Sequence, residues 1–204
     1  MKKLGVLLFL AMPMTLLLGG TARAQGDNSV YFVTYYSNAN TDAPIGVLRI
    51  INDGDNSTSQ TEGKPNGNLW ASIYVFDDSQ ELQECCSCFV SADGLLSESV
   101  NGNLTSNELT GYRAEKSRGV IKVISSSNGD PTNNVKKAGL RGTITHIQAY
   151  LVNENVTYVT TEVPLADSNL VSAEQTALQQ SCSFAITLGS GQGTCSCTPE
   201  DSDF

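Results

Sequence analysis

The sequence predicts a mainly β fold, an antiparallel β-sandwich or open barrel with one C-terminal amphipathic helix, stapled by disulfides. Three observations predict it. β-branched and aromatic residues cluster in short runs bounded by Gly, Pro, Asn, Asp and Ser. One later segment, Ser172 to Leu188, instead has Ala, Gln, Leu and Glu at helical density, with Leu178, Cys182, Ala185 and Ile186 recurring at three and four residues. The six cysteines, finally, fall into two groups separated by about a hundred residues, an even count that reads as a disulfide framework.

The chain opens with Met1, Lys2 and Lys3, continues through the apolar stretch Leu4 to Leu18, and reaches Ala22-Arg23-Ala24. This charged, apolar and small-residue order is that of a cleavable secretory signal peptide over residues 1–24, with the cut before Gln25. About 15 apolar residues fall short of the roughly 20 that a membrane-crossing helix needs. Residues 25–204 then form a single secreted β-rich domain. Its predicted strands are Val30 to Tyr36, Gly46 to Ile51, Ala71 to Phe76, Gly119 to Ile124, Gly142 to Val152 and Val156 to Val163. Asn52 to Asn68 and Ser125 to Asn134 read as polar loops. Asn153-Glu154-Asn155 is short enough to join the last two strands as a hairpin. A short helical turn is expected at Asp78 to Glu84. The long helix is expected to begin with a capping box, Ser172 with Gln175 three residues on, and to stop at Gly189.

Over all 204 residues the formal charge is -9, and loss of Lys2, Lys3 and Arg23 leaves nine basic against twenty-one acidic residues, or -12. An acidic surface of this kind disfavours nucleic acid and anionic lipid as partners and favours solubility. No second apolar stretch could span a membrane. The ending Glu200-Asp201-Ser202-Asp203-Phe204 lacks the alternating apolar face of a lipid-facing strand and reads as a solvated tail.

Cys85, Cys86 and Cys88 form one cysteine group, and Cys182, Cys195 and Cys197 the other. Export favours disulfides, and adjacent cysteines rarely bridge each other. Bridges are therefore expected between the groups. In extended chain Cys86 and Cys88 share a face, as do Cys195 and Cys197. That pairs Cys85 with Cys182 and laces the other four together in either of two ways. Thiolate metal binding is the rival reading, but the spacing is not the usual C-x2-C of zinc, and His146 is far away in sequence. No catalytic, cofactor or metal set is assigned.

The remaining candidates have plain explanations. His146 is the single histidine; alternation is read as setting it opposite the isoleucines, a solvent-facing or hydrogen-bonded strand residue without a nucleophile motif. Asp77, Asp78, Glu81 and Glu84 could serve a carboxylate hydrolase, yet acids beside a first helical turn suit the helix dipole. Gly189-Ser190-Gly191-Gln192-Gly193 follows a helix instead of opening one, so it reads as a turn that reverses the tail and not as a phosphate loop. Asp53-Gly54-Asp55-Asn56-Ser57 has calcium-loop spacing, but Thr58 and Lys64 stand where glycine and the closing acid belong. Trp70 and the tyrosines could stack on glycans, although Tyr31, Tyr35, Tyr74, Tyr150 and Tyr158 read as strand residues with one edge in the core. The sequons at Asn56, Asn103 and Asn155 are set aside because the signal is bacterial in type.

The run Asn68-Leu69-Trp70-Ala71-Ser72-Ile73-Tyr74-Val75-Phe76-Asp77, followed by Gln80-Glu81-Leu82-Gln83-Glu84-Cys85-Cys86-Ser87-Cys88, resembles a family of uncharacterised secreted, cysteine-containing proteins of soil bacteria. Asp93-Gly94-Leu95, Leu104-Thr105-Ser106-Asn107, Thr145-His146-Ile147-Gln148 and the tail through Cys195-Ser196-Cys197 extend the resemblance over most of the mature chain. The resemblance implies export and carries no function. From the residues, the expectation is a secreted or cell-surface, non-enzymatic structural, adhesion or assembly protein, with strand addition by Val30 to Tyr36 as one mechanism. A carboxylate hydrolase and a calcium-dependent or glycan-binding module are the alternatives.

Overall fold

The computed structural model describes residues 29–37, 42–54, 67–109 and 117–197. Residues 1–24, read from the sequence as a signal peptide, residues 55–57 of the calcium-like loop and the last seven residues lie outside these. Two antiparallel sheets face each other. The first contains β1 (Tyr31–Tyr36), β3 (Leu69–Asp77), β4 (Leu82–Val90), β6 (Gly119–Ser126) and β9 (Ala166–Asp167), in the order β4-β3-β6-β1-β9. The second contains β2 (Val47–Asn52), β5 (Leu95–Ser99), β7 (Leu140–Val152) and β8 (Asn155–Pro164), in the order β5-β2-β7-β8. Neither closes on itself, so the architecture is the sandwich and not a closed barrel.

Alternation explains the layers. Leu69, Ala71, Ile73 and Val75 of β3 point inward with Ile121 and Val123 of β6 and Phe32 and Tyr36 of β1. They meet Leu48 and Ile50 of β2, Leu96 of β5 and Leu140 and Ile144 of β7, which builds the main core between the sheets. The intervening residues Tyr31, Tyr74, Cys85 and Ile124 form a second, outer cluster. On it lies α1 (Ser172–Thr187), through Leu178 and Cys182. The molecule is thus layered helix on sheet on sheet. Gly119 is required where β6 crosses β3, since a Cβ there would stand 1.9 Å from the Phe76 carbonyl oxygen.

Each strand predicted from the sequence is present, and three more, β4, β5 and β9, stand beside them. No helical turn forms at Asp78 to Glu84. Asp77 Oδ1 instead accepts the backbone N–H groups of Ser79 (2.9 Å) and Glu81 (3.0 Å), and the chain reverses into β4 with Gln80 at φ 69°. The side chain captures the amides that a helix would need, and β4 then pairs with β3 along its length. The β7–β8 hairpin turns on Asn153 (φ 49°) and Glu154 (φ 65°), the two positive angles of a type I′ turn.

The helix also departs from expectation at its start. Val171 is the N-cap, and no side chain caps it, so the capping box is not made. Gln175 turns inward instead, its Nε2 donating to Asn134 Oδ1 at 2.8 Å, while Asn134 Nδ2 donates to the buried Tyr74 hydroxyl at 2.5 Å. Burying a Tyr–Asn–Gln network satisfies these groups at the helix–sheet interface better than a solvent-side cap would. Ile186 is exposed, whereas Ala185 is buried. The stop is as expected, with Gly189 at φ 65° donating its N–H to the Ile186 carbonyl.

The first turn of α1 is tied down by Glu174, whose Oε1 accepts from Lys122 Nζ at 2.7 Å and from the Tyr31 hydroxyl at 2.9 Å. The Lys122 hydrogen bond is the main reason the Glu174 carboxyl is held below its ordinary value of 4.5. Burial, reinforced by that carboxylate, pushes the Tyr31 phenol above its ordinary range. A carboxyl with a depressed folded pKa stabilises above its unfolded value and loses that contribution as pH falls through the folded one. Glu174→Gln is therefore expected to cost about 1 kcal/mol at neutral pH. The difference from wild type should shrink to nothing on the acid side of pH 4.5, measured by urea unfolding along a pH series.

Candidate functional site

Three disulfides join the two cysteine groups: Cys85–Cys182, Cys86–Cys195 and Cys88–Cys197. The pairing of Cys85 with Cys182 is the one expected from alternation, and of the two lacings of the others the parallel one is made. All six cysteines are oxidised, so the thiolates that the metal reading requires are consumed in bridges. β4 carries the first group because period-2 geometry sends Cys85 outward to the helix and Cys86 and Cys88 inward. The glycine turn after α1 reverses the chain, with Gly189, Gly191 and Gly193 all at positive φ. The tail then runs parallel to β4: the Cys85 N–H donates to the Gly193 carbonyl at 2.9 Å, and the Cys195 N–H to the Cys85 carbonyl at 3.3 Å. The Ser196 N–H reaches the Asn103 carbonyl beside β5. The tail thereby closes one side of the sandwich.

Loop arithmetic ranks the bonds. Each spans a sequence separation of 97 or 109 residues, but once Cys86–Cys195 exists, Cys85–Cys182 closes an effective ring of about fifteen residues, worth about 3 kcal/mol in the chain-entropy account. Cys88–Cys197 then closes a ring of only about five and adds about 2 kcal/mol. Cys85→Ala with Cys182→Ala should lower unfolding stability by about 3 kcal/mol, and Cys88→Ala with Cys197→Ala by about 2 kcal/mol, as read by guanidinium titration.

Of the four carboxylates considered for hydrolysis, Asp77, Glu84 and Asp78 lie near enough to Tyr36 to add to the effect of burial in raising its phenol, while Glu81 is exposed. Asp77 is buried as the turn organiser, its Oδ2 accepting from Gln83 Nε2 at 2.8 Å. Glu84 is fully buried, with Oε1 accepting the Asn107 N–H at 2.6 Å. Asp78 pairs with Arg118 at 2.8 Å on the surface, and Glu81 is exposed. Glu108, with no sequence signal to single it out, is buried near Tyr36, whose phenol is pushed above its ordinary range by burial first and then by Glu108, Asp77 and Glu84. Asp77→Ala would remove the acceptor of two backbone N–H groups and of the Gln83 amide, so a loss of about 2 kcal/mol is expected in thermal or denaturant unfolding. Substitution of Glu81 should leave stability within about 0.5 kcal/mol.

His146 shares a strand face with Ile144 and is not opposite it, because two residues restore the side in a strand. It stacks on Tyr35 with ring centroids 3.9 Å apart, and its Nε2 lies 3.4 Å from Thr34 Oγ1. Burial holds it below its ordinary 6.5. Among the tyrosines, Tyr31 and Tyr74 are buried, whereas Tyr35 and Tyr150 are about half exposed. Trp70 packs edge-on against Phe89 at 5.1 Å and is covered by Gly129, where a Cβ would lie 2.8 Å from the indole ring. Its face is thus occupied by the chain itself. Asp53 of the calcium-like loop accepts from Arg141 at 3.1 Å. An open cavity of about 610 Å³ lies between the helix and the turn before β4, lined by Leu82, Leu109, Phe184 and Leu188 among others.

Val30 to Tyr36, expected to be available for strand addition, is already paired: β1 lies beside β6 along all six residues and meets β9 on its other side. Among the described residues, β8 is the longest edge strand, at the far side from the tail. The β7–β8 hairpin extends beyond the facing sheet, so Tyr150, Leu151, Val152, Val156 and Val159 are all exposed, Leu151 to 77%. Strand alternation would normally hide one face of such a pair, and here neither is covered. The sequence read these two strands correctly but offered no signal that they outrun the sandwich.

The fold and its staple define the class: a disulfide-laced, two-layered antiparallel β domain with one helix bound to its outer face. Comparison with protein-family models, curated proteins and solved structures finds no match. Three disulfides accord with an oxidising, extracellular or periplasmic compartment. No helix among the described residues is long and apolar enough to cross a membrane.

Proposed function

We propose that this chain is exported through its N-terminal signal segment and acts as a non-enzymatic structural or assembly protein, joining to a second copy of itself along β8. The β7–β8 arm carries the reading. A ten-residue edge strand has its outer backbone groups available, and along its middle it lacks the devices that normally blunt an edge, since its proline is the last residue, its one charge, Glu162, stands near the end, and no lysine or bulge interrupts it. Two copies of an acidic protein repel each other over most of their surface. On the arm the repulsion is weak: between Gln148 and Thr161 the single charged residue is Glu154, in the turn. Glu162, just beyond, is paired with Arg49 at 2.8 Å.

Antiparallel pairing of two β8 strands about a two-fold axis near Tyr158 would continue the four-stranded sheet across both molecules and set Val156 opposite Thr160. The exposed Val156 and Val159, on opposite faces of β8, would be buried by neighbours from the second copy. Sedimentation of the mature protein should show a dimer whose population rises with concentration. Val156→Lys with Val159→Lys should leave it monomeric with an unchanged melting temperature, because lysine on an edge opposes pairing without touching the core. A wild-type protein that stays monomeric at its highest soluble concentration would overturn the assembly reading.

A further inference from the structure

Two of the three bridges touch each other. Cys86 and Cys88 leave the same face of β4, and their Sγ atoms are 3.8 Å apart although each is bonded to a different tail residue. The sulfurs of Cys86, Cys88 and Cys197 all lie within 4.8 Å of one another. Their burial is graded: Cys88 is fully buried, Cys86 and Cys195 are nearly so, and Cys197 is exposed. We propose that this pair of bridges is a thiol–disulfide exchange site, which accepts a low-molecular-weight thiol at Cys197 and passes the exchange inward to Cys86.

The exchange balances without net oxidation or reduction. The incoming thiolate attacks Cys197 Sγ, forms a mixed disulfide there and breaks the bond to Cys88, whose sulfur keeps the electron pair. A thiolate enclosed in the apolar core is poorly solvated, and a disulfide sulfur lies beside it. Cys88 Sγ attacks Cys86 Sγ, a Cys86–Cys88 bond forms, and Cys195 leaves as thiolate. Cys195 then attacks the mixed disulfide at Cys197, closing a Cys195–Cys197 bond and returning the incoming thiolate. Two bridges exist before and after, and the thiol is regenerated. Residues two apart in a strand have Cα atoms about 6.6 Å apart, within the upper end of the range that a disulfide can span. The outcome is a β4 strand and a tail that each carry their own bridge and are no longer joined to one another. The bond opened first is also the one that closes the smallest ring, so chain entropy holds it least.

The test incubates the natively oxidised mature protein with substoichiometric glutathione. It is followed by acid quench, alkylation of free thiols, and peptic digestion without reduction, with the peptides identified by mass spectrometry. The expected result is a C-terminal peptide two hydrogens lighter than its reduced form, carrying Cys195 linked to Cys197 and detached from β4. Intact protein mass should be unchanged, and untreated protein should yield no such peptide. With Cys86→Ser and Cys195→Ser combined, the relay has no second bridge, so the same treatment should leave glutathione on Cys197 and an alkylated Cys88. In the wild type, a glutathione adduct on Cys197 with Cys88 alkylated and Cys86–Cys195 intact would overturn the proposal, as would the absence of any reaction at either bridge. Neither result depends on whether the protein dimerises through β8.

Discussion

Strand alternation at β4 is the constraint on which the rest of the molecule depends. Three cysteines in four positions cannot all face one way along an extended chain, so Cys85 must project to one side while Cys86 and Cys88 project to the other. One strand therefore ties two layers at once: the helix above the first sheet through Cys182, and the tail along the sheet edge through Cys195 and Cys197. Had a helical turn at Asp78 to Glu84 run on through the cysteines, the three sulfurs would have diverged around a cylinder, and this lacing could not form. The turn at Asp77 is what prevents it, because its carboxylate takes up the amides of Ser79 and Glu81 before a helix can use them.

The two sides of the sandwich are treated unequally, and the difference follows from where the chain ends up. On the β4–β5 side the tail is hydrogen-bonded to β4 and reaches toward the one-turn π-helix at Val100–Leu104, so that edge is covered and covalently fastened. On the other side Leu165 carries the chain from β8 in one sheet to β9 in the other, with its N–H donating to the Gly142 carbonyl, but β9 is two residues long and covers little. β8 stays an open edge. Proteins usually blunt such edges, and an acidic surface does so at long range by keeping like copies apart. Here the edge strand carries little charge, so the self-association that we propose along it would meet little like-charge repulsion.

How much of this the sequence revealed depended on which residue types did the work. Strands built from Val, Ile, Tyr and Thr, such as β1, β6 and β8, could be read to within a residue or three, because those side chains favour a pleated, half-buried surface. β4 and β5 were missed since LQECCSCFV and LLSES contain few such residues; cross-strand pairing and the disulfides fix them there, and neither is a local property. Alternation made the Cys85–Cys182 pairing legible but left two lacings open for the other four cysteines, and the parallel course of the tail along β4 decides between them. The helix was legible in its length and stop but not in its cap, since Gln175 is drawn to Asn134, forty-one residues away in sequence. Burial of Glu84 and Glu108 leaves no trace in composition, for an exposed and a buried glutamate have the same letter.

Durability and exchange chemistry are often treated as opposed uses of cystine, yet the geometry here separates them within four residues. The Cys85–Cys182 bond lies wholly buried on the outer face of the first sheet, among Tyr31, Tyr74, Ile124 and Leu178. The backbone of β4 itself stands between it and the inner-face sulfurs, so a thiolate formed at Cys88 has Cys86 beside it and Cys85 on the far side of the sheet. An incoming thiol that reaches the exposed Cys197 therefore acts on the two laced bridges and leaves the helix pinned. Because that pinning bond closes an effective ring of about fifteen residues whereas the outermost bond closes about five, the bridge that contributes more to holding the fold is also the one shielded from attack.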